Sequence, residues 1–264
     1  MKKDTAVILK TEILAEGIHS MTLRTDIAET AKAGQFVSVC LNDRTRLLPR
    51  PISICSADAA EKTIRLVYRV QGSGTMQMST WQKGDTVQLI GPLGKGFPTE
   101  EAGGKRVLLV GGGIGIPPLV FAAEQLLKEA DGQKPCEIVF AAGYRSDDTY
   151  LLPEIEACAR AVISTDDGSL GTAGTVLDAI RANGIDADLI FACGPKVMLR
   201  ALKAYAEETG AVLYVSMEER MACGVGACLG CVTKTTATDS HSMVKNARVC
   251  TDGPVFSAEE VDLS

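Results

Sequence analysis

The stretch Arg106-Val107-Leu108-Leu109-Val110-Gly111-Gly112-Gly113-Ile114-Gly115-Ile116-Pro117-Pro118 decides how this chain folds. An apolar run stops at three consecutive glycines, and Pro117 then opens what reads as a helix over residues 117–129. A glycine-rich turn between a strand and a helix lets backbone N–H groups come close to a diphosphate at the positive end of the helix dipole. Gly112, Gly113 and Gly115 are therefore candidate nucleotide-binding residues. The run is not the G-x-G-x-x-G fingerprint, because Ile116 occupies the last place, and a tight structural turn is the competing reading.

Downstream of this turn, short apolar runs at 137–142, 161–164 and 189–192 alternate with helical patterns at 153–159, 175–182 and 197–208, and a last strand is expected at 213–217. Such alternation predicts a parallel sheet with helices on both faces, and in open sheets of this kind ligands sit at the carboxyl ends of the strands. Gly143-Tyr144-Arg145, Thr165-Asp166-Asp167-Gly168 and Cys193-Gly194-Pro195 occupy those ends. A nucleophilic role for Cys193 is disfavoured, because the only histidines are His19 and His241, in a barrel strand and a polar loop. No catalytic residue is assigned.

Upstream, residues 7–13, 19–24, 35–41, 52–56, 63–70 and 86–90 read as short strands separated by turn formers such as Gly17, Gly34, Asn42-Asp43 and Gly84-Asp85. About six strands at this spacing predict a closed or nearly closed antiparallel barrel. Within it, Arg50-Pro51-Ile52-Ser53 offers a guanidinium for a diphosphate and a hydroxyl for a ring nitrogen. Tyr68-Arg69-Val70-Gln71-Gly72-Ser73-Gly74-Thr75 runs into a short helix expected at 75–81, where free N–H groups favour phosphate. Taken alone, Arg50 and Arg69 read equally as solvated surface guanidiniums.

At the other end, Cys223, Cys228 and Cys231 have C-x4-C-x2-C spacing, and eighteen intervening residues separate Cys231 from Cys250. That is the plant-type pattern of [2Fe–2S] ligation with a distant fourth cysteine. Gly224, Gly226 and Gly230 supply the backbone freedom a loop needs to turn its thiolates inward. Zinc is the rival ligand, but structural zinc loops present two short cysteine pairs of similar spacing, and these knuckles are asymmetric. Residues 233–246 are polar and predict a solvated hairpin or excursion between the third and fourth ligands.

With 264 residues, 46% of them hydrophobic, the chain can bury two ordinary cores and a small appendage. A net charge of −6 with no concentrated basic face argues against nucleic acid. There is no signal-peptide core and no run of eighteen apolar residues, so a cytoplasmic protein away from membranes is expected. Nine cysteines is an odd number, and Cys40, Cys55, Cys136, Cys158 and Cys193 are scattered through apolar segments, which suits reduced thiols.

The motifs Arg-Pro-Ile-Ser-Ile (50–54), Tyr-Arg-Val (68–70), Gly-Ser-Gly-Thr (72–75) and Gly-Pro-Leu-Gly-x-Gly-Phe (91–97), then a glycine cluster closed by proline, come in the order that resembles the ferredoxin-NADP reductase superfamily. The resemblance implies an FAD on the barrel, with Arg50 and Arg69 on its diphosphate beside Gly74 and Thr75, and Ser53 near flavin N5. Pro51, Ile52, Val67 and Tyr68 complete that site. Many members have an aromatic residue where Ile52 stands, and isoleucine cannot stack on the ring system. It also implies that Cys193 and Gly194 face a nicotinamide and that Arg145 lies near the adenosine. Asp147 and Asp148 beside Arg145 would repel a 2′-phosphate, so NAD is expected over NADP.

Nearly the whole chain closely resembles the electron-transfer subunit of two-subunit, NAD-linked dihydroorotate dehydrogenase. The specific motifs are Met221-x-Cys223-Gly224-x-Gly226-x-Cys228-x-Gly230-Cys231 and the closing Cys250-x-Asp252-Gly253-Pro254-Val255-Phe256. The resemblance implies an FAD-binding β-barrel domain at 1–100, an NAD-binding α/β domain at 101–216 and a [2Fe–2S] domain at 217–264. It further implies an FMN-containing catalytic partner that oxidises dihydroorotate for pyrimidine (UMP) biosynthesis, in a heterotetramer with two copies of each chain. Electrons would pass through the cluster to FAD and on to NAD+. Two rival readings are the flavin subunit of a hydrogenase or of an NAD(P)H-ferredoxin transhydrogenase, and a zinc-stapled binding module without enzymatic activity.

Overall fold

The computed structural model of the protein describes all residues except 42, 44, 129–133 and 239–242. Asn42 of one expected turn, Glu129 at the end of one expected helix and His241 lie outside the described residues. Six strands, β1 (Lys2–Ala15), β2 (Ile18–Arg24), β3 (Phe36–Cys40), β4 (Arg50–Asp58), β5 (Thr63–Arg69) and β6 (Thr86–Leu93), close into an antiparallel barrel in the order β1-β2-β5-β4-β3-β6. Alternation drives the closure: Ile8, Leu23, Ile54, Leu66 and Leu89 point inward from five different strands and are fully buried. A short helix, α1 (Ser73–Met78), follows β5. It begins ahead of the expected 75–81 because Thr75 Oγ1 accepts from the Gln71 and Gly72 N–H groups, at 2.9 and 3.2 Å, and tightens the turn before it.

The chain then enters a sheet made of β7 (Arg106–Gly112), β8 (Glu137–Tyr144), β9 (Arg160–Thr165), β10 (Thr172–Ala173), β11 (Leu189–Cys193) and β12 (Val212–Ser216). All of these pair in parallel, as the sequence pattern predicts. Four helices cover it: α2 (Ile116–Lys128), α3 (Leu152–Cys158), α4 (Val176–Ala182) and α5 (Lys196–Thr209). Val107 and Leu109 face one side, where α2 and α3 meet the barrel, and Leu108 and Val110 face the other, against α4 and α5. Burial on both faces is why β7 reads as an unbroken apolar run. Each such side chain contributes roughly 1.5–3 kcal/mol.

The barrel and sheet are joined by specific contacts. Ala33 N–H donates to Gln125 Oε1 at 2.8 Å, Arg65 pairs with Glu154 at 2.8 Å, and Phe97 stacks on Phe191 with centroids 4.9 Å apart. Asp148 accepts from the Glu16 N–H at 3.0 Å and ties its loop to the barrel.

After β12 come a hairpin of β13 (Val232–Lys234) and β14 (Asn246–Arg248), then β15 (Val255–Ser257). Strand β15 pairs antiparallel with β12 and becomes the outer edge of the main sheet, order β10-β9-β8-β7-β11-β12-β15. Three residues are too few to show a period, so this strand carries no sequence signal; the unpaired edge of β12 recruits it. Among the described residues no helix is long and apolar enough to cross a membrane.

Candidate functional site

Strands β7 and β11 are neighbours, and the order of strands reverses between them, so the loops leaving their carboxyl ends meet at a crevice. Their glycines are forced by each other's backbone. A Cβ on Gly115 would lie 2.1 Å from Cys193 O, and one on Gly194 only 3.1 Å from Gly112 N. Met198 of α5 packs on both loops, 2.7 Å from a Cβ placed on Gly112 and 2.6 Å from one on Gly194. Gly112, Gly115, Cys193 and Gly194 are thus one packed unit, and Met198 is a member that sequence reasoning missed, since a methionine in an amphipathic helix carries no distinguishing mark. Burial pushes the Cys193 thiol up to about 12, with Ser216 opposing the shift, so it stays a neutral packing group. Ser164 Oγ, at the end of β9, and Tyr150 Oη are buried without a hydrogen-bond partner among the described residues.

On the barrel, Arg50 opens β4 and lies across α1: a Cβ on Gly74 would be 2.2 Å from Arg50 Nε. Its Nη1 donates to Leu48 O at 2.7 Å, an exposed bond at the tip of the fork, while Nε and Nη2 lie over Gly74. Thr75 spends its hydroxyl on the turn N–H groups described above, so it shapes this corner. Arg69, expected beside Arg50, reaches toward the nucleotide loop, since a Cβ on Gly113 would lie 3.5 Å from Arg69 Nη2. Pro51, Ile52 and Ser53 are half-buried along β4, whereas Val67 and Tyr68 are buried. Burial raises the Tyr68 hydroxyl to about 12, and its ring stacks on His19 at 5.9 Å. Arg145 is exposed.

The four cysteines near the carboxyl end come together without regular secondary structure of their own. All four are free thiols. The loop curls at two of its three glycines as expected, Gly224 at φ +68° and Gly226 at φ +83°, whereas at the third corner the left-handed residue is Leu229, φ +57°, and not Gly230. Backbone N–H groups point at sulfur: Val225 and Cys228 donate to Cys223 Sγ at 3.4 Å, and Gly230 donates to Cys228 Sγ at 3.4 Å. The first of these pulls the Cys223 thiol down to about 6, with the N–H and thiol of Cys228 adding to it. Burial, then the neighbouring Cys231, pushes Cys250 up to about 11. Cys228 thus lies beside Cys223 and Cys231 beside Cys250, and Cys223 also acts on Cys250 across the two pairs.

Among the described residues no three His, Cys, Asp or Glu side chains converge as a single-ion site would require. Two pairs of thiols match two ligands per iron, so the donor set fits a two-iron cluster better than one zinc. Arg248, overlooked in the sequence, and Asp252 of the closing motif brace the return segment. The guanidinium Nε donates to Asp252 Oδ2 at 3.1 Å, and Nη1 reaches Gly226 O at 3.5 Å.

Residues 218–262 match the model of the iron–sulfur cluster binding domain of dihydroorotate dehydrogenase B, and residues 109–204 match that of the oxidoreductase NAD-binding domain. Among solved structures, one of an NADH-dependent reduced ferredoxin-NADP oxidoreductase, reported for flavin-based electron bifurcation, superposes with a TM-score of 0.85 at 29% identity, covering 98% of this chain and 90% of that one. A ferredoxin NADP+ reductase from Neisseria gonorrhoeae with bound FAD and NADP shares the fold, with a TM-score of 0.66 at 18% identity, covering 83% of this chain and 95% of that one. Barrel, crevice and four-cysteine loop together define a reductase of the ferredoxin-NADP reductase type with an added iron–sulfur module.

Within that class the similarity is narrower. "Dihydroorotate dehydrogenase B (NAD(+)), electron transfer subunit" of Listeria monocytogenes serotype 4a (strain HCC23) is 43% identical, and the protein of the same name from Bacillus mycoides (strain KBAB4) is 39% identical, with 100% of both chains covered in each case. The chain belongs to this family of electron-transfer subunits, as its motifs implied.

Proposed function

We propose that this chain carries electrons from a dihydroorotate-oxidising partner subunit to NAD+ in pyrimidine (UMP) biosynthesis. When bound, the [2Fe–2S] cluster carries single electrons, and FAD interconverts single electrons with the hydride that nicotinamide exchanges. The observation that carries this reading is the spatial order of the three candidate sites. Strand β4, with Arg50-Pro51-Ile52-Ser53, pairs with β3, whose Ser38 touches the four-cysteine loop at Gly224. From the next strand of the barrel, Arg69 reaches the Gly113 turn of the crevice. A flavin on β4 therefore stands between the thiols and the nicotinamide loop.

In this reading residues 1–100 bind FAD, 101–216 bind NAD and 217–264 hold the cluster through Cys223, Cys228, Cys231 and Cys250. Arg50 neutralises the flavin diphosphate at the start of α1, Ser53 faces the flavin ring, and Arg69 bridges barrel and crevice. Gly112, Gly113 and Gly115 bring N–H groups to the dinucleotide, and Cys193 with Gly194 lines the nicotinamide pocket. The partner is an FMN-containing catalytic subunit, in a cytoplasmic heterotetramer with two copies of each chain.

Anaerobic purification of the chain alone and with its catalytic partner tests this. Alone it should contain flavin and two irons per chain and oxidise NADH with an artificial dye, but leave dihydroorotate untouched; with the partner, dihydroorotate should reduce NAD+. A flavin-loaded chain without NADH–dye activity, or a nickel-containing partner, would sink the proposal.

A further inference from the structure

The cysteine-bearing segments grip the barrel at two adjacent strands, and the grip is unusually close. In β3 the side chains alternate: Val37 and Val39 point into the barrel core, while Phe36 points outward and joins the cluster of buried side chains that includes Cys231, Val249, Cys250 and Phe256. Ser38 shares the outward face with Phe36 and is only 1% exposed, because the four-cysteine loop covers it. A Cβ added to Gly224, the residue after the first thiol, would lie 2.8 Å from Ser38 Oγ and 3.6 Å from Leu93 Cδ1. Just beyond β6, a Cβ on Gly94 would lie 2.4 Å from Pro254 Cδ, and the Lys95 N–H donates to Gly253 O at 2.6 Å. On its other side β3 pairs with β4, Ser38 opposite Pro51 and Val37 opposite Ile52. Neighbouring strands lie about 5 Å apart. A single strand, touched by a residue with no side chain, is all that separates the Cys223 turn from the candidate flavin strand.

We propose that the Ser38–Gly224 contact is a spacer that sets the distance between the cluster thiols and β4, so that both are positioning residues for electron passage. The inference rests on the relay reading above. A small side chain at 38 and none at 224 keep the two surfaces at close distance. A methyl at 224 would lie 2.8 Å from Ser38 Oγ, so either that hydroxyl turns away or the loop moves outward, and with Ser38 buried on a closed barrel the proposal is that the loop moves. The positive φ of Gly224 is a second demand on the same residue, and the test separates the two.

In the chain loaded with FAD and cluster, anaerobic mixing with NADH is followed at flavin and cluster wavelengths in one trace, alongside iron content and the fluorescence lifetime of the oxidised flavin, which lengthens as a quenching cluster recedes. For Gly224→Ala we expect two irons retained, a longer lifetime, and cluster reduction slowed relative to flavin reduction by on the order of ten- to a hundredfold, a ~1 Å misplacement of positioned groups costing up to about a hundredfold. Ser38→Ala/Gly224→Ala, which makes room for the methyl, should recover most of the loss. Should Gly224→Ala lose its iron, Ser38→Thr thickens the contact from the barrel side and should show the same slowing and lengthening. Wild-type lifetime and cluster reduction in Gly224→Ala or Ser38→Thr, or a double variant as slow as Gly224→Ala, would overturn the spacer. A wild-type chain whose cluster NADH never reduces would overturn the relay reading and the spacer with it.

Discussion

Two glycine-rich turns, one ending β7 and one threading Cys223 to Cys231, place glycine under different constraints. At the first, the glycines are squeezed by their own domain: Gly115 meets the backbone of Cys193, and Gly112 meets Met198. The second has no regular structure of its own, and its glycines face sulfur and a neighbouring domain, with Cys228 Sγ 3.4 Å from a Cβ on Gly230 and Ser38 against Gly224. The sheet shapes the first turn whether or not a nucleotide is present. The second is shaped by what it wraps and what it sits on. Damage at the crevice should therefore spread into the fold, and damage at the cysteines should stay local.

The hardest blow to that contrast is Cys228→Ala. This cysteine is exposed, and among the described residues its sulfur meets the Gly230 N–H and Cys223, both within the loop, so its loss should remove nearly all iron and the visible iron–sulfur absorption while far-UV circular dichroism and flavin content stay at wild-type level. Unfolding of the sheet in this variant would show that the cysteine loop is no local unit. At the other turn, Gly115→Ala drives a methyl into a backbone carbonyl that cannot step aside. Denaturant titration should find the protein less stable by about 3 kcal/mol, the upper end for overpacking, with NADH binding weakened in parallel.

Gly74→Ala sharpens the comparison from the barrel. Here the obstructing atoms belong to the Arg50 side chain, which can swing away, and alanine at a helical position is favourable by about 0.5–1 kcal/mol. Stability should hold or rise while FAD affinity, measured by fluorescence recovery on dissociation, falls about tenfold, the value of one displaced hydrogen bond to a charged group. The smallest effect is expected at the amino-terminal edge of β7, away from the crevice. There Asp188 accepts from Arg106 N, Nε and Nη2 at 2.9, 3.1 and 2.7 Å, and the Arg106 guanidinium holds the carboxyl down at about 2. Its folded-state value is depressed, so the stability it lends is complete above the range of an unfolded aspartate, about pH 4, and is lost as pH falls through about 2. In a thermal-unfolding series Asp188→Asn should flatten the acid limb slightly and leave NADH binding unchanged; an effect at pH 7 on nucleotide affinity would contradict the division between the two ends of the sheet.

Local patterns were legible because their causes are local. Period-two alternation marked the barrel strands, the apolar run of β7 announced burial on both faces, and the spacing of Cys223, Cys228 and Cys231 singled them out as candidate ligands before any geometry was known. What only the tertiary structure decided are contacts between segments far apart in the chain: Arg69 against Gly113, Asp148 on the Glu16 backbone, β15 on the edge of β12, and Gly224 on Ser38. A serine in a strand and a glycine in a loop are each unremarkable where they stand in the sequence. Their meeting follows from how a closed barrel, a twisted sheet and a short return strand share one surface, and no periodicity or spacing along the chain encodes that.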